Sequence, residues 1–316
     1  MISSPPTFAD VEKAAEQIAP FAEKTPVLKS SSINEMAGAE LFFKCENFQK
    51  VGAFKFRGAC NAVFSLTDEE ASKGVATHSS GNHAAALSLA GKLRGIPVHV
   101  VMPSNAPEIK KRAVKGFGGI ITYCEPILSS RESTLKTVVE KTHAYEIHPY
   151  NDERIIAGQG TAALELLNTY PDLNVVITPI GGGGLISGTC IAAKGINPNI
   201  TIIGAEPKGA DDAYLSLAKG EIVPQTNPNT IADGLLSSLG KKTFPIIKKH
   251  VSKILTVSEK GIIRAMRLVW ERLNIIIEPS SAVVLAAVLE HTEENRGKKV
   301  GLIFSGGNID LDNLYW

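Results

Sequence analysis

The sequence predicts an α/β fold in which two lobes of parallel-rich, twisted sheet are flanked by helices and share one cleft. Three observations carry that expectation. Short apolar, β-branched runs recur along the chain and alternate with longer segments of helical spacing, the pattern of repeated βα units. Three polar or glycine-rich loops, at 79–83, 181–184 and 305–308, directly follow such runs. The strand C-termini of open α/β sheets collect at one crevice, so loops in these places are where a ligand would bind. At 316 residues, with 44% apolar and 21% charged side chains, the chain has material for a substantial core in one large or two modest lobes.

In order along the chain, residues 8–22 carry apolar side chains at helical spacing behind Thr7, a suitable N-cap. Residues 41–46 read as a strand. The stretch 47–58 is rich in Lys, aromatics and Gly without a clear period, more a site than an element, and a helix follows over 59–66. Then come a strand at 74–77, the polar turn 79–83, a helix over 84–94 ended by Gly95, and a strand at 98–102. A helix at 107–115, a strand at 120–123, a helix at 130–143 and a strand at 145–147 complete a small parallel sheet. The pattern continues with a helix near 160–168, a strand at 175–178 and a helix at 185–193. It closes with strands at 201–206, 254–257 and 300–304 and helices at 212–219, 259–273 and 280–290.

Thirty-three basic against thirty-two acidic residues leave a net charge of +1, which gives no reason to invoke nucleic acid or an anionic membrane. The N-terminus lacks a signal-peptide pattern, and the longest apolar runs, such as 282–289, are too short to span a bilayer. A cytoplasmic protein is the expectation. The four cysteines at 45, 60, 124 and 190 form no Cys-x-x-Cys pair and are expected to be reduced and buried. His78 and His83, like His143 and His148, are five apart and do not match a zincin helix.

Gly181, Gly182, Gly183 and Gly184 stand between a buried strand and a helix, where bare amides backed by a helix dipole cradle an anion, most often phosphate. Glu206, at the end of the next strand, lies where a dinucleotide enzyme would carry a ribose-binding acid. No frame through 181–188 gives G-x-G-x-x-G, however, and no Gly-Lys-Ser/Thr follows, which counts against a nucleotide-binding dehydrogenase and a P-loop. A phosphate-bearing aldehyde cofactor needs this cup, a lysine and a partner for its ring nitrogen. Lys44, Lys50 and Lys55 all precede the first βα unit. Phe54 and Phe56 give Lys55 the apolar neighbours that lower an amine's pKa. Local reasoning leaves the three lysines open.

Phe43-Lys44-Cys45-Glu46 with the segment 52–58, the loop Ser79-Ser80-Gly81-Asn82-His83, the glycines 181–184 and Ser305-Gly306-Gly307-Asn308 occur together and in order. This set resembles the fold-type II pyridoxal-phosphate enzymes, the tryptophan synthase β-like group. Within it, the chain is most similar to the serine racemases and serine/threonine dehydratases. The likeness runs from about Phe8 to Leu311. It implies Lys55 as the Schiff-base lysine, Gly181 to Gly184 as the phosphate cup, Asn82 as partner of the pyridine phenolate oxygen and Ser305 as partner of the ring nitrogen. Ser79, Ser80, Gly81, Asn82 and His83 would receive the substrate carboxylate, and Arg131 would reach the substrate when a small lobe closes. Ser80 stands where plain threonine dehydratases generally carry alanine. Racemisation needs acid/base groups on opposite faces of the reacting carbon, and Lys55 and Ser80 fit those places.

The implied activity is serine racemisation with elimination of serine to pyruvate and ammonia. The alternative is dehydration of L-threonine or threo-3-hydroxyaspartate. The resemblance also implies a divalent cation (Mg²⁺, Ca²⁺ or Mn²⁺) held by the carboxylates of Glu206 and Asp212 and the carbonyl of Ala210, an all-oxygen set. It further implies a homodimer, a large domain of residues 1–70 and 150–316, and a small mobile domain of residues 71–149. ATP activation is associated with animal racemases. Lys50 and Asn308 match that group, whereas Ala85 stands for its glutamine and Phe117 for its tyrosine, which counts against an ATP response.

Overall fold

Strand and helix alternate through a computed structural model that describes residues 4–79, 81–312 and 314–316. Ten strands are found among the described residues: β1 (Val27–Leu28), β2 (Glu40–Cys45), β3 (Val75–His78), β4 (Val98–Pro103), β5 (Ile120–Cys124), β6 (Tyr145–Glu146), β7 (Val175–Pro179), β8 (Thr201–Pro207), β9 (Lys253–Val257) and β10 (Lys299–Phe304). They form a six-stranded sheet ordered β1-β2-β10-β7-β8-β9 and a four-stranded sheet ordered β5-β4-β3-β6. Every pairing is parallel except that of β1 with β2. The interior strands read as unbroken apolar runs because both of their faces are covered.

The helices are α1 (Phe8–Ile18), α2 (Ser31–Ala37), α3 (Lys55–Phe64), α4 (Asp68–Ser72), α5 (Asn82–Arg94), α6 (Glu108–Gly116) and α7 (Leu128–Thr142). There follow α8 (Glu153–Thr169), α9 (Gly184–Ile196), α10 (Asp212–Lys219), α11 (Thr243–His250), α12 (Glu259–Leu273) and α13 (Pro279–Glu290). Alternation along each strand sorts the larger core into two faces. Leu41 and Phe43 of β2, with Leu302 and Phe304 of β10, meet α2, α12 and α13. Phe42, Val176 and Ile303 point the other way, into α1, α8, α9 and α11. A third core joins α3 and α5 to the smaller sheet.

Helix α8 is the spine between the parts that matter for the site. A Cβ on Gly158 would lie 2.6 Å from the Cα of Gly58 on α3, and one on Gly160 would lie 2.7 Å from the carbonyl of Gly188 on α9. The three helices therefore touch backbone to backbone, an approach that only glycine permits.

Most expected elements form within a few residues of their expected bounds, and three departures matter. The helix expected from residue 59 already begins at Lys55, although Phe54 supplies no side-chain cap. Asn82 and His83, expected in a polar turn, are the first residues of α5. The helix expected near 160 begins at Glu153, where Asp152 caps it by accepting from the amides of Arg154 and Ile155. The short β1, α2, α4 and α11 were not expected. Among the described residues, no helix is long and apolar enough to cross a membrane, and all four cysteines are free and buried.

Candidate active site

The glycine loop leaves β7 at Pro179 and enters α9 at Gly184. Gly183 has φ +89°, a left-handed conformation that favours glycine. No side chain caps α9, so its first amides are free to hold an anion. A side chain has no room on the loop: a Cβ on Gly182 would lie 2.3 Å from the ring of Tyr150, and one on Gly183 would lie 2.7 Å from Thr243 Oγ1. Thr243 fixes the loop, its hydroxyl donating to the Gly182 carbonyl at 2.8 Å and accepting from the Gly240 amide at 2.9 Å.

Lys55 meets this loop through residues 149 and 150. Its Nζ donates to the Pro149 carbonyl at 3.1 Å, and the next residue is the Tyr150 whose ring roofs Gly182. Burial pulls the Lys55 amine down to about 8, against an upward pull from Glu278. An amine so poised is substantially neutral near pH 8, as a nucleophile must be. The other lysines are engaged elsewhere. Lys44 is buried against Glu165 at 2.5 Å, and the half-exposed Lys50 faces Glu23 at 3.8 Å.

The end of β10 closes the far side. The Phe54 amide donates to the Ser305 carbonyl at 2.9 Å, and Ala53 bridges to Gly306. Lys55 and Ser305 are thereby placed on adjoining backbones. The Ser305 hydroxyl is buried 3.2 Å from that of Ser281, which accepts the Gly306 amide at 2.7 Å.

Asn82, at the start of α5, brings the smaller sheet to the same place. Its Nδ2 donates to both Glu278 oxygens at 3.1 and 3.0 Å, and its Oδ1 accepts from Asn308 Nδ2 at 2.9 Å. The loop before it approaches α5 at Gly81, which has no side-chain cap, so helix-terminal amides are again open to an anion. Ser79 Oγ accepts the Gly81 amide at 3.4 Å. Ser80 lies outside the described residues. His83 is buried behind the loop, and burial together with Lys55 keeps its ring neutral. Arg131 sits on α7, its Nε buried without a hydrogen-bond partner; burial lowers the His78 pKa, with a smaller push from the Arg131 charge against the opposing pull of Glu132.

Glu206, on β8, and Asp212, the first residue of α10, form a second acidic pair. Glu206 accepts the amides of Ala213 and Tyr214 at 3.2 and 2.8 Å. Asp212 accepts from the Leu239 amide at 3.3 Å and from Gln225 Nε2 at 3.4 Å. Burial and then the Asp212 charge push the Glu206 carboxyl well above its usual range, and burial pushes Asp212 up to about 6. Ala210, between them, is fully buried.

Sequence reasoning missed Glu278, Tyr150 and Thr243. Glu278 had a signal: a lone acid after Ile275-Ile276-Ile277 and before Pro279, buried where an apolar residue would be expected. Burial pushes its carboxyl up to about 7. Tyr150 and Thr243 carry no local signal, because their role is to fill the space the glycines leave.

A phosphate cradle, a buried amine with a lowered pKa and a neutral hydroxyl are together the fittings for a phosphorylated pyridine aldehyde. Residues 18–306 match the family described as pyridoxal-phosphate dependent enzyme. The chain belongs to that family. It is 54% identical over 312 residues to a serine racemase of Dictyostelium discoideum, covering 98% of this chain and 96% of that protein. It is also 54% identical over 311 residues to a beta-hydroxyaspartate dehydratase of Paracoccus denitrificans (strain Pd 1222), covering 98% and 99%. The solved structure of maize serine racemase superposes with a TM-score of 0.96 at 49% identity, covering 99% of this chain and 96% of that one. The nucleotide-binding dehydrogenase, weighed from the glycine loop and Glu206, is overturned by the family match.

Proposed function

We propose that this chain interconverts L- and D-serine and also eliminates serine to pyruvate and ammonia, with pyridoxal phosphate carried on Lys55. One observation carries the reading: the Lys55 amine, the Gly181–Gly184 loop and the Ser305 hydroxyl are held together through Pro149, Tyr150 and the 53–54 backbone. The bound cofactor supplies an electron sink that acidifies the Cα–H bond of an attached amino acid.

The amides of Gly181 to Gly184 hold the phosphate. Asn82 would donate to the ring's phenolate oxygen. Ser305 meets the ring nitrogen as a neutral hydroxyl, which does not force a proton onto it. The amides around Ser79, Gly81, Asn82 and His83 orient the substrate carboxylate, with Arg131 approaching from α7. Lys55 moves the Cα proton on one face, and the Ser80 hydroxyl serves the other. Elimination needs only the Lys55 face and departure of the β-hydroxyl.

Residues 1–70 with 150–316 form the large domain of this proposal and residues 71–149 a small domain that closes on substrate. The working enzyme is a cytoplasmic homodimer. Glu206, Asp212 and the Ala210 carbonyl hold Mg²⁺, Ca²⁺ or Mn²⁺, since two repelling buried carboxylates are stabilised by a cation. Ala85 and Phe117 carry no side-chain hydrogen-bonding group, so ATP has no part in the proposal.

Incubation with L-serine, reading D-serine and pyruvate together, tests this reading. Both products are expected, and pyruvate without D-serine would remove the racemase. Ser80→Ala should lose racemisation more than elimination; equal loss would contradict the two-face assignment. A second reading, dehydration of threo-3-hydroxyaspartate, is favoured by the unpartnered Arg131 Nε, which suits a second carboxylate. A kcat/KM for 3-hydroxyaspartate far above that for serine, lost in Arg131→Ala, would put it first.

A further inference from the structure

Two residues beyond Lys55, and about 200° round the helix from it, the Arg57 guanidinium is fully buried between two carboxylates. Its Nε and Nη2 donate to Glu46 at 2.7 and 2.9 Å, and its Nη1 and Nη2 donate to Glu165 at 2.7 and 2.9 Å. Nη1 also reaches Thr161 Oγ1 at 3.2 Å, and Nη2 the Glu23 carbonyl at 3.2 Å. Lys44 completes the group, donating to Glu165 at 2.5 Å and to the Thr25 carbonyl at 2.8 Å. Thr25 Oγ1 donates to Glu46 at 2.6 Å. Two cations and two anions thus cancel, drawn from β2, the turn after it, α3 and α8. Burial would pull the Arg57 proton off, but Glu46 and Glu165 outweigh it and hold the guanidinium charged.

Such a network is a weak device for stability, because desolvation offsets most of the attraction between its charges. Helix α3 already has an apolar face in Phe56, Ala59, Cys60 and Val63. What paired forks add is geometry. A planar guanidinium gripped on two edges fixes the rotation of α3 about its axis as well as its distance from α8. That matters at the start of α3, where Lys55 is the first helical residue and no side chain caps it. The register continues past α3. The Gly58 amide donates to Gln159 on α8 at 3.2 Å, and α8 touches α9 through Gly160 and Gly188. Helix α8 therefore relates the lysine's helix to the helix that begins at the glycine loop.

We propose that Arg57, gripped by Glu46 and Glu165, is a positioning residue that sets the reach of the Lys55 amine relative to the Gly181–Gly184 loop. It governs covalent capture of the cofactor's aldehyde rather than non-covalent binding of its phosphate. In that step the Lys55 amine adds to the aldehyde carbon, the carbonyl oxygen leaves as water, and a C=N bond remains. The inference rests on Lys55 being the lysine that carries the cofactor.

The test uses the full-length chain, stripped of cofactor with hydroxylamine, as wild type, Arg57→Lys and Glu165→Gln. Two quantities are read: the rate at which pyridoxal phosphate is captured, fixed with borohydride and located by peptide mapping, and the affinity for pyridoxine 5′-phosphate, which has the phosphate but no aldehyde. Capture should slow about tenfold or more, as a displacement of the reacting atoms near 1 Å would produce, while pyridoxine 5′-phosphate affinity stays within about twofold. Val269→Ala, which thins the core under α12, should lower the melting temperature and leave both quantities at wild-type values. Wild-type capture rates in both network variants would overturn the proposal, and so would equal losses in the two quantities. If Arg57→Lys fails to fold, Glu165→Gln decides, its carboxylate lying at the network's solvent edge (22% exposed). Borohydride fixation on a lysine other than Lys55 in the wild type would instead overturn the site assignment beneath it.

Discussion

Replacing Glu278 by glutamine should stabilise the cofactor-free chain, and by an amount that depends on pH. Burial holds the carboxyl at about 7 instead of 4.5. At about 1.4 kcal/mol per tenfold change in proton affinity, that displacement is worth roughly 3 kcal/mol. The folded chain keeps this proton up to about pH 7, whereas the unfolded chain releases it near 4.5. Between those values the folded state binds more protons, so stability falls as pH rises. The penalty is absent below 4.5 and complete above 7. Glutamine keeps an oxygen to accept from Asn82 Nδ2 and never carries the charge. With about 2.1 cal/mol/K of unfolding entropy per residue over 316 residues, 3 kcal/mol corresponds to about 5 °C. Thermal melts of wild type and Glu278→Gln from pH 5 to pH 8 should therefore diverge, the variant gaining up to about 5 °C at the alkaline end. A gap that is constant with pH, or that narrows as pH rises, would show that Glu278 does not carry this buried proton. The same variant removes the charge that raises the Lys55 pKa, so its amine should react with pyridoxal phosphate at lower pH than in wild type.

Gly182→Ala should fold yet lose cofactor affinity by about tenfold or more, because its methyl would meet the Tyr150 ring at 2.3 Å and displace it from the loop; equilibrium dialysis with pyridoxine 5′-phosphate reads this. Mg²⁺ should raise the melting temperature more at pH 8 than at pH 6, since protons held on Glu206 and Asp212 compete with the cation. Glu206→Gln with Asp212→Asn should abolish that response. EDTA treatment that leaves activity and melting temperature unchanged would remove the cation from the account. Dithiothreitol should not shift the melting temperature, because the four cysteines are unpaired.

The sheets were legible because their strands are buried on both faces and read as unbroken β-branched runs, as at Val175-Val176-Ile177 and Thr201-Ile202-Ile203. Helices with a strong apolar stripe, such as α12, were legible for the corresponding reason. The start of α3 was not, because Lys55 opens a helix without a cap, and its order comes from the distant Glu165 and Pro149. The start of α8 had a readable cap in Asp152, but the small residues Ala157, Gly158 and Gly160 blur its period, being spaced for contact with α3 and α9. In the site, the glycine loop and Ser305 announced themselves by composition. Glu278 and Tyr150 did not: one is a single acid in an apolar run, and the other is chosen by the shape of a loop some thirty residues away in sequence.

In the proposed reaction, Lys55 and a group on the opposite face exchange the Cα proton of serine. The most direct measurement is turnover of L-serine in ²H₂O, with the two enantiomers separated and their Cα deuterium counted. D-serine should carry deuterium at Cα from the earliest times, accompanied by pyruvate, and no D-serine should form in Lys55→Ala. D-serine that retains the original Cα hydrogen, or D-serine formed undiminished by Lys55→Ala, would contradict that exchange.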